Sequence, residues 1–464
     1  LCFGKRPWRG HTPLSEPLPY NTNLVKYASL LLRSRLAMAA LPIRTGSSER
    51  CFVVESASSE LVYFTLRSNS ERPLIDGARP QCFVPRPGRC YSFCIPAAPS
   101  PRDRIRAARL HRTLQQRLSQ EPFGARSRVL ALLSYSAQEP VLESGFLVQS
   151  KQRSPETERS LEELLRLLLP APALLSVYEE AEDGEVWRAL WGLKAAEGKE
   201  LLERRRVVAA EGPQLHPAAF HLFGTALFSS LGAAREVLEE CTSLIPEAKA
   251  VLDVVDKCPK HPKKGDFPVI VVEGLDATGK TTVTQALKDS LNATLVRTPP
   301  PCVSQWRKIF DDEPTLIRRA FYALSNYLVA SEIAKESMKS PVIVDRYWHS
   351  TAAYAIATEM SGKVENLPPL HHQVYHWPED LLRPDIVLLL SISAEERIRR
   401  LQGRGLERTR EEAELETNSV FRQKVEECYR RMENPACQPV DASPSREEVL
   451  KTALHLIKKH CHLV

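Results

Sequence analysis

An apolar, mostly β-branched run, Val269 to Val272, leads into Gly274, four further residues, and then Gly279, Lys280 and Thr281. The run reads as a strand buried on both faces. The spacing after it is G-x-x-x-x-G-K-[ST], the loop that cradles phosphate oxygens with inward-turned backbone N–H groups. Glycine permits that turn because it has no Cβ. Lys280 then reaches β- and γ-phosphates, and the Thr281 hydroxyl is a ligand for Mg²⁺. Val283, Ala286, Leu287 and Leu291 follow at helical spacing. The positive end of that helix faces the same anion. The stretch therefore predicts a nucleoside triphosphate site on a strand–loop–helix unit.

The pattern around it is alternating. Strand-like runs fall at 269–273, 294–297, 342–345, 386–392 and around Val440, with helical stretches at 281–291, 315–338, 349–360, 394–402, 412–432 and 446–459. Five buried strands separated by helices predict a parallel sheet covered on both faces, with ligands at the carboxyl ends of its strands. VIVDRY (342–347) places Asp345 and Arg346 at such an end. There an aspartate can hold Mg²⁺ through water and an arginine can bridge two phosphates. Asp276 sits inside the phosphate loop, where a carboxylate beside triphosphate is unfavourable. It either accepts a hydrogen bond from an acceptor's sugar hydroxyl, orients a bridging arginine, or faces solvent. RLQGRGLERTREEAE (400–414) sets Arg400, Arg404, Arg408 and Arg410 around two glycines. That suits a lid carrying positive charge to a transferring phosphoryl group, and also a solvated charged helix. LHHQVYHW (370–377) has no carboxylate or cysteine at ligand spacing and reads as a surface loop.

The rest of the chain is less specific. Residues 1–50 hold eight Lys/Arg and two Asp/Glu, and the remainder holds 55 of each, so the excess of +6 sits at the start. A balanced body argues against a nucleic-acid-binding face. Within 24–44 the segment is basic, Ser-containing, acid-poor and amphipathic, the pattern of a mitochondrial presequence; without such an address the protein would be cytoplasmic. The chain opens on Leu1, and Met38 is a candidate start that leaves a shorter basic leader. Residues 51–254 read as an α+β domain of unknown fold and role. It has strand-like runs CFVVES and LVYFTL near its start and helical patterns at 104–118, 158–169, 185–194 and 233–244. On the third of these, Trp187 and Trp191 share one helix face and read as core. Residues 255–266 form a Pro- and Lys-containing linker, and 267–464 form the nucleotide domain. No run is long and apolar enough to span a membrane. Eleven cysteines without C-x-x-C spacing fit reduced thiols better than disulfides or zinc.

With the phosphate loop, Asp345-Arg346-Tyr347 and the arginine-rich segment in hand, residues 266–464 resemble the thymidylate kinase family. Within it they are closest to the mitochondrial UMP/CMP-kinase branch. EGLDATGKT (273–281) is similar to its E-G-x-D-x-x-G-K-[ST], DRYWHSTAAY (345–354) to its D-R-Y-x-x-S segment, WPEDLLRPDIVLLL (377–390) to the run before its fourth strand, and VDASPSREEV (440–449) to its V/I-D-A-S loop. The resemblance implies a P-loop nucleotide kinase using ATP and Mg²⁺ on a pyrimidine monophosphate, (d)CMP or (d)UMP, with a homodimer as one assembly to consider. It implies ATP contacts from Glu273, Gly274, Leu275, Asp276, Ala277, Thr278, Gly279, Lys280, Thr281 and Thr282, with Asp441 and Ala442 against the adenine. It implies acceptor contacts from Asp276, Tyr327, Arg346, Ser350 and Tyr354. Mg²⁺ falls to Thr281 and, through water, Asp345; catalysis falls to Lys280, Asp345, Arg346, Arg404, Arg408 and Arg410. Two departures stand out. Arg297 is followed by three prolines where an arginine grips the acceptor phosphate, so Arg307, Arg318 or Arg319 is the expected substitute. Asn326-Tyr327 stands where the family has Asn-Arg, which points away from thymidylate. Rival readings are a deoxynucleoside kinase, which generally lacks the loop aspartate, and a nucleotide-gated interaction protein. A GTPase is disfavoured because no N-K-x-D motif occurs.

Overall fold

The computed structural model describes residues 50–68, 88–96, 100–120, 123–136, 141–151, 155–170, 172–194, 198–259, 262–402 and 410–461. The expected presequence therefore lies outside the described residues, as do Arg404 and Arg408.

The first half carries eight strands: β1 (Arg50–Glu55), β2 (Leu61–Arg67), β3 (Arg89–Cys94), β4 (Ser127–Ser136), β5 (Leu142–Ser150), β6 (Ala173–Glu180), β7 (Val186–Leu193) and β8 (Lys199–Ala209). They pair antiparallel and close into a barrel in the order β1-β2-β8-β7-β6-β3-β5-β4. Closure leaves no open edge. Period-2 alternation divides the side chains. Phe52, Val54, Phe64, Leu132, Leu147, Tyr178 and Val207 form one cluster, filling the barrel. The alternate residues Tyr91, Phe93, Phe146, Val148, Leu175 and Val177 pack outside, under helices α1 (Pro101–Leu118) and α2 (Pro155–Leu168). Helix α1 starts where Ser100 accepts a hydrogen bond from the Asp103 amide and Pro101 supplies a helical φ.

This corrects one expectation. Residues 185–194 are not a helix: Val186–Leu193 is β7, paired with β6 and β8. Trp187 and Trp191 still share a face, the outer face of the barrel, beneath the Arg204 guanidinium at 5.2 Å and the Lys199 ammonium at 4.8 Å.

Two helices, α3 (Leu231–Cys241) and α4 (Pro246–Val255), link the barrel to the nucleotide half. That half contains β9 (Val269–Gly274), α5 (Lys280–Leu291), β10 (Thr294–Arg297), α6 (Thr315–Glu336), β11 (Val342–Asp345), α7 (Trp348–Glu359), β12 (Ile386–Ser391), α8 (Ala394–Gln402), α9 (Arg410–Thr417), α10 (Ser419–Arg431), β13 (Cys437–Asp441) and α11 (Arg446–Cys461). The strands form a five-stranded parallel sheet ordered β10-β11-β9-β12-β13. Strand β9 is central and buried on both faces: Val269 and Val271 enter one cluster, Ile270 and Val272 the other. The expected helix 412–432 is broken, because the Asn418 side chain caps a new helix at the Phe421 amide.

Helix α6 has buried residues around its whole circumference. One side carries Val329, Ala330 and Ile333 into the sheet core. Another packs Ile317, Ala320, Phe321, Leu324 and Leu328 with Ile105 of α1 and with Val237, Leu238, Val251 and Leu252 of α3 and α4. The barrel half and the nucleotide half thus share a core. Elsewhere between them, His216 Nε2 donates to Ser361 Oγ at 2.8 Å, since its Nδ1 accepts from the Ala218 amide. Among the described residues no helix is long and apolar enough to cross a membrane.

Candidate active site

The phosphate loop follows β9 through backbone that only small residues tolerate. Gly274 has φ +140°, and a Cβ there would lie 2.5 Å from the Leu390 carbonyl oxygen of the neighbouring strand. Gly279 (φ +93°) then opens α5. Lys280 folds back across the loop, its ammonium donating to the Leu275 carbonyl at 2.7 Å and lying 4.0 Å from Asp276. Burial, with Arg346 adding to it, pushes Lys280 down to about 8. Leu275 itself is core, and Thr278 donates to its carbonyl.

Asp345 ends β11, beside Val272 of β9. Arg346 follows with φ +65°, a left-handed conformation uncommon outside glycine and associated with functional sites. That twist sends its guanidinium back over the loop, donating to Asp276 Oδ1 at 2.6 Å, the Gly274 carbonyl at 3.0 Å and Ser350 Oγ at 3.2 Å. Burial opposes ionisation of Asp276, but Arg346, Lys280 and Arg397 outweigh it and hold the carboxyl below its usual range. Of the alternatives for Asp276, orientation of the bridging arginine is the one the geometry displays. Glu273 lies beneath, fully buried, which raises its pKa. It accepts from the Tyr347 amide at 2.9 Å, the Ser350 amide at 3.2 Å and the Ser350 hydroxyl. Glu273 therefore ties β9 to the start of α7, and its side chain is shut off from solvent where an ATP contact was expected.

Two clefts meet at this loop, sharing Ala277 and Gly279. The first is lined by Asp276, Lys280, Thr281, Arg297, Arg307, Arg319, Tyr322, Asp345, Arg346, Ser350, Thr351 and Tyr354. It is strongly basic and carries one aromatic wall. Arg307 and Arg319, expected substitutes for a phosphate-gripping arginine, line it; Arg318 does not. The second cleft is lined by Thr278, Thr282, Val283, Ala286, Arg399, Arg400, Ala442, Pro444, Arg446, Val449 and Leu450. Its floor is apolar and its rim basic. Ala442 is there as expected, with its carbonyl accepting from Arg400 at 3.0 Å. Asp441 instead turns to cap the Ser443 amide at the surface.

One acceptor residue is misplaced by the sequence reading. Tyr327 does not line the cleft; its hydroxyl donates to Asp380 at 2.5 Å. The preceding residue, Asn326, lies behind the cleft, fully buried and donating to Thr351 Oγ1 of its lining at 3.0 Å. Ser350 lines the cleft, but its hydroxyl is engaged with Glu273, Arg346 and Tyr429. Arg410 opens α9, and its side chain lies outside the described residues. The sequence reading missed Tyr322, Thr351 and Arg397. Arg397 is almost fully buried and donates to the Leu415 carbonyl at 2.9 Å. Its signal was an arginine at the apolar stripe of an otherwise charged helix.

Among the described residues no three His, Cys, Asp or Glu side chains gather as a metal cage. Thr281 and Asp345 instead sit together on the phosphate-side cleft, one hydroxyl and one carboxylate. That oxygen set fits Mg²⁺, which keeps most of its shell as water and substrate phosphate.

A profile of the thymidylate kinase family, described as "Thymidylate kinase", matches residues 272–453. The human protein named "UMP-CMP kinase 2, mitochondrial" is 52% identical over 99% of this chain and 99% of its own, barrel half included. A probable thymidylate kinase 1 of Saccharolobus solfataricus is 27% identical over 41% of this chain and 97% of its own. A solved thymidylate kinase from Candida albicans superposes with a TM-score of 0.33, at 20% identity, over 42% of this chain and 92% of that one. On the full-length relationship and the family profile together, the chain belongs to the thymidylate kinase family.

Proposed function

We infer that this protein is an ATP-dependent pyrimidine nucleoside monophosphate kinase, transferring the γ-phosphoryl group of ATP to CMP, UMP or their deoxy forms. The observation that carries the reading is the pair of clefts meeting at Ala277 and Gly279. A donor adenosine fits the apolar cleft between α5 and the 442–450 segment, and its polyphosphate then lies along the loop. A monophosphate fits the basic cleft, its base beside Tyr322 and its phosphate toward Arg307 and Arg319. Lys280 and Arg346 stand at the junction and stabilise charge as it spreads over the transferring phosphoryl oxygens. Asp276 holds Arg346 in place for this, already ionised and already hydrogen-bonded. The acceptor is itself an anionic phosphate, so positioning and electrostatics carry most of the catalysis. Thr281 and Asp345 are the residues that would hold Mg²⁺, and the ion would supply further neutralisation of phosphate charge. Arg400 lines the donor cleft and adds positive charge beside it, the part expected of the arginine-rich stretch that it begins. The full-length relative's name and the basic start of the chain support a mitochondrial location, where the product would feed pyrimidine nucleotide supply.

The test is coupled ADP release by the full chain given ATP-Mg²⁺ with CMP, dCMP, UMP, dUMP, dTMP, cytidine or deoxyuridine, and Lys280→Ala as the blank. Turnover of CMP and UMP, and little of the free nucleosides, is the expected outcome. Turnover of nucleosides alone would move the protein to the nucleoside kinases.

A further inference from the structure

Helix α6 presents Arg319 and Tyr322 to the basic cleft, and its opposite side has no partner within the nucleotide half's own sheet. That side is covered by α1, α3 and α4, which precede the nucleotide half in the chain, together with Val303 and Phe310 from the segment just before α6. Two polar contacts reinforce the packing at the two ends of the helix's cleft-facing part. Just before α6, Glu313 receives a two-pronged bond from Arg109 of α1: Nε to Oε2 at 3.0 Å and Nη2 to Oε1 at 2.6 Å, with side chains only 15% and 12% exposed. Further along, Tyr327 donates to Asp380 Oδ1, while Asp380 Oδ2 accepts at 2.8 Å from the Leu231 amide at the start of α3. A planar guanidinium gripping a carboxylate with two parallel bonds fixes orientation as well as distance. A carboxylate bridging a tyrosine hydroxyl and a helix-terminal amide does the same for the second point.

We propose that Arg109, on the barrel half, is a positioning residue for the acceptor cleft: through Glu313 it sets the placement of α6 and hence of Arg319 and Tyr322. The barrel half then has a role in acceptor binding without contributing a side chain to the cleft. This rests on the reading of the basic cleft as the acceptor site. The donor cleft is built from α5, α8 and α11 and does not include α6. Loss of the clamp should therefore separate the two substrates.

The experiment uses the full chain and varies CMP at saturating ATP, then ATP at saturating CMP, with a thermal melt for every variant. Arg109→Met and Glu313→Gln each remove one side of the clamp. The expected result is an acceptor KM raised about tenfold with an ATP KM within about twofold of the parent. Arg109→Lys keeps the charge but not the fork, and should fall between parent and Arg109→Met. The reversed pair Arg109→Glu with Glu313→Arg should recover most of the acceptor KM. An unchanged acceptor KM in a normally melting Arg109→Met overturns the proposal. So does a rise in both KM values in proportion to the loss of melting temperature, which marks general destabilisation. Should Arg109→Met fail to melt cooperatively, Tyr327→Phe reads the same split at the second anchor. A parent enzyme silent with every monophosphate would defeat the functional reading itself, an outcome separate from variants that behave like an active parent.

Discussion

Arg346 is held in a left-handed backbone conformation so that three acceptors on two other segments can receive its guanidinium. Its partner Asp276 is 15% exposed, so removing Arg346 leaves a largely buried carboxylate with only the longer Lys280 contact, and removing Asp276 leaves a largely buried guanidinium without its carboxylate. Asp276→Ala and Arg346→Ala should each cost about 3 kcal/mol in urea denaturation, and the double variant clearly less than their sum. Additive losses would show that the two do not act as a pair. On the proposed transfer, Arg346→Ala should also lower kcat at least about a hundredfold, since charge would develop beside its guanidinium. Lys280 makes a pH prediction. Its pKa of about 8 lies below the usual lysine value, so above pH 8 the free loop holds a neutral amine. Polyphosphate favours the ammonium, so ATP binding at pH 8–9 should take up a proton and weaken as pH rises. Calorimetry in two buffers of different ionisation heat measures this, and equal apparent heats would contradict it. Most of this junction was legible in the sequence because covalent spacing alone delivers Gly274, Gly279, Lys280 and Thr281. Tyr327 was not, because adjacent helical residues point about 100° apart. The family resemblance put the tyrosine in the cleft, whereas Arg319 and Tyr322 mark the helix face that lines it.

Helix α6 explains why a domain boundary is hard to read here. A helix apolar on one stripe announces itself as a surface element; one buried all round does not say which neighbour covers which side. The chain from residue 255 onward would uncover the side of α6 that carries Ile317, Ala320, Leu324 and Leu328, now packed with α3, α4 and Ile105. Contiguous apolar surface of this kind promotes association. Residues 255–464 alone should aggregate on gel filtration, whereas the full chain elutes as a defined species. A soluble, fully active 255–464 fragment would show that the shared core is dispensable. The misread of Trp187 and Trp191 has a related cause. A spacing of four is two full periods of a strand and also close to one turn of a helix, so this pair cannot distinguish the two. The bulky, mixed-charge sequence of β7 and β8 hid the alternation that β1 and β2 display openly. Strands β9, β11 and β12 posed no such difficulty, being short, continuous apolar runs between helices.

Among the described residues, three histidines are enclosed closely enough to titrate well below the usual imidazole. His111 lies under the barrel's outer face, His216 between the halves and His349 in the nucleotide half; burial pushes each down to about 4. Unfolded histidine titrates near 6.5, so between about pH 6.5 and 4 the unfolded chain binds more protons than the folded one. Stability should therefore be full above pH 6.5 and fall on acidification, each site contributing on the order of 2 kcal/mol. Melting temperatures from pH 7.5 to 4.5 measure the slope. His216→Gln should flatten it, and an unchanged slope would remove that residue from the account. The pairing order of the barrel has a further consequence, in time. Strand β2 pairs with β8, joining Phe64 to Ala209 across nearly the whole first half, so the barrel closes late in its own synthesis. Helices α3 and α4 come next, and α6 is made only after them. On the ribosome, the apolar second side of α6 emerges opposite a face already waiting for it. A full-length chain diluted from denaturant has no such sequence of events: the apolar second side of α6 is exposed while the slowest strand pairing is still unmade. Recovery of active enzyme by refolding should fall steeply with protein concentration, although the same chain made in order folds without that competition.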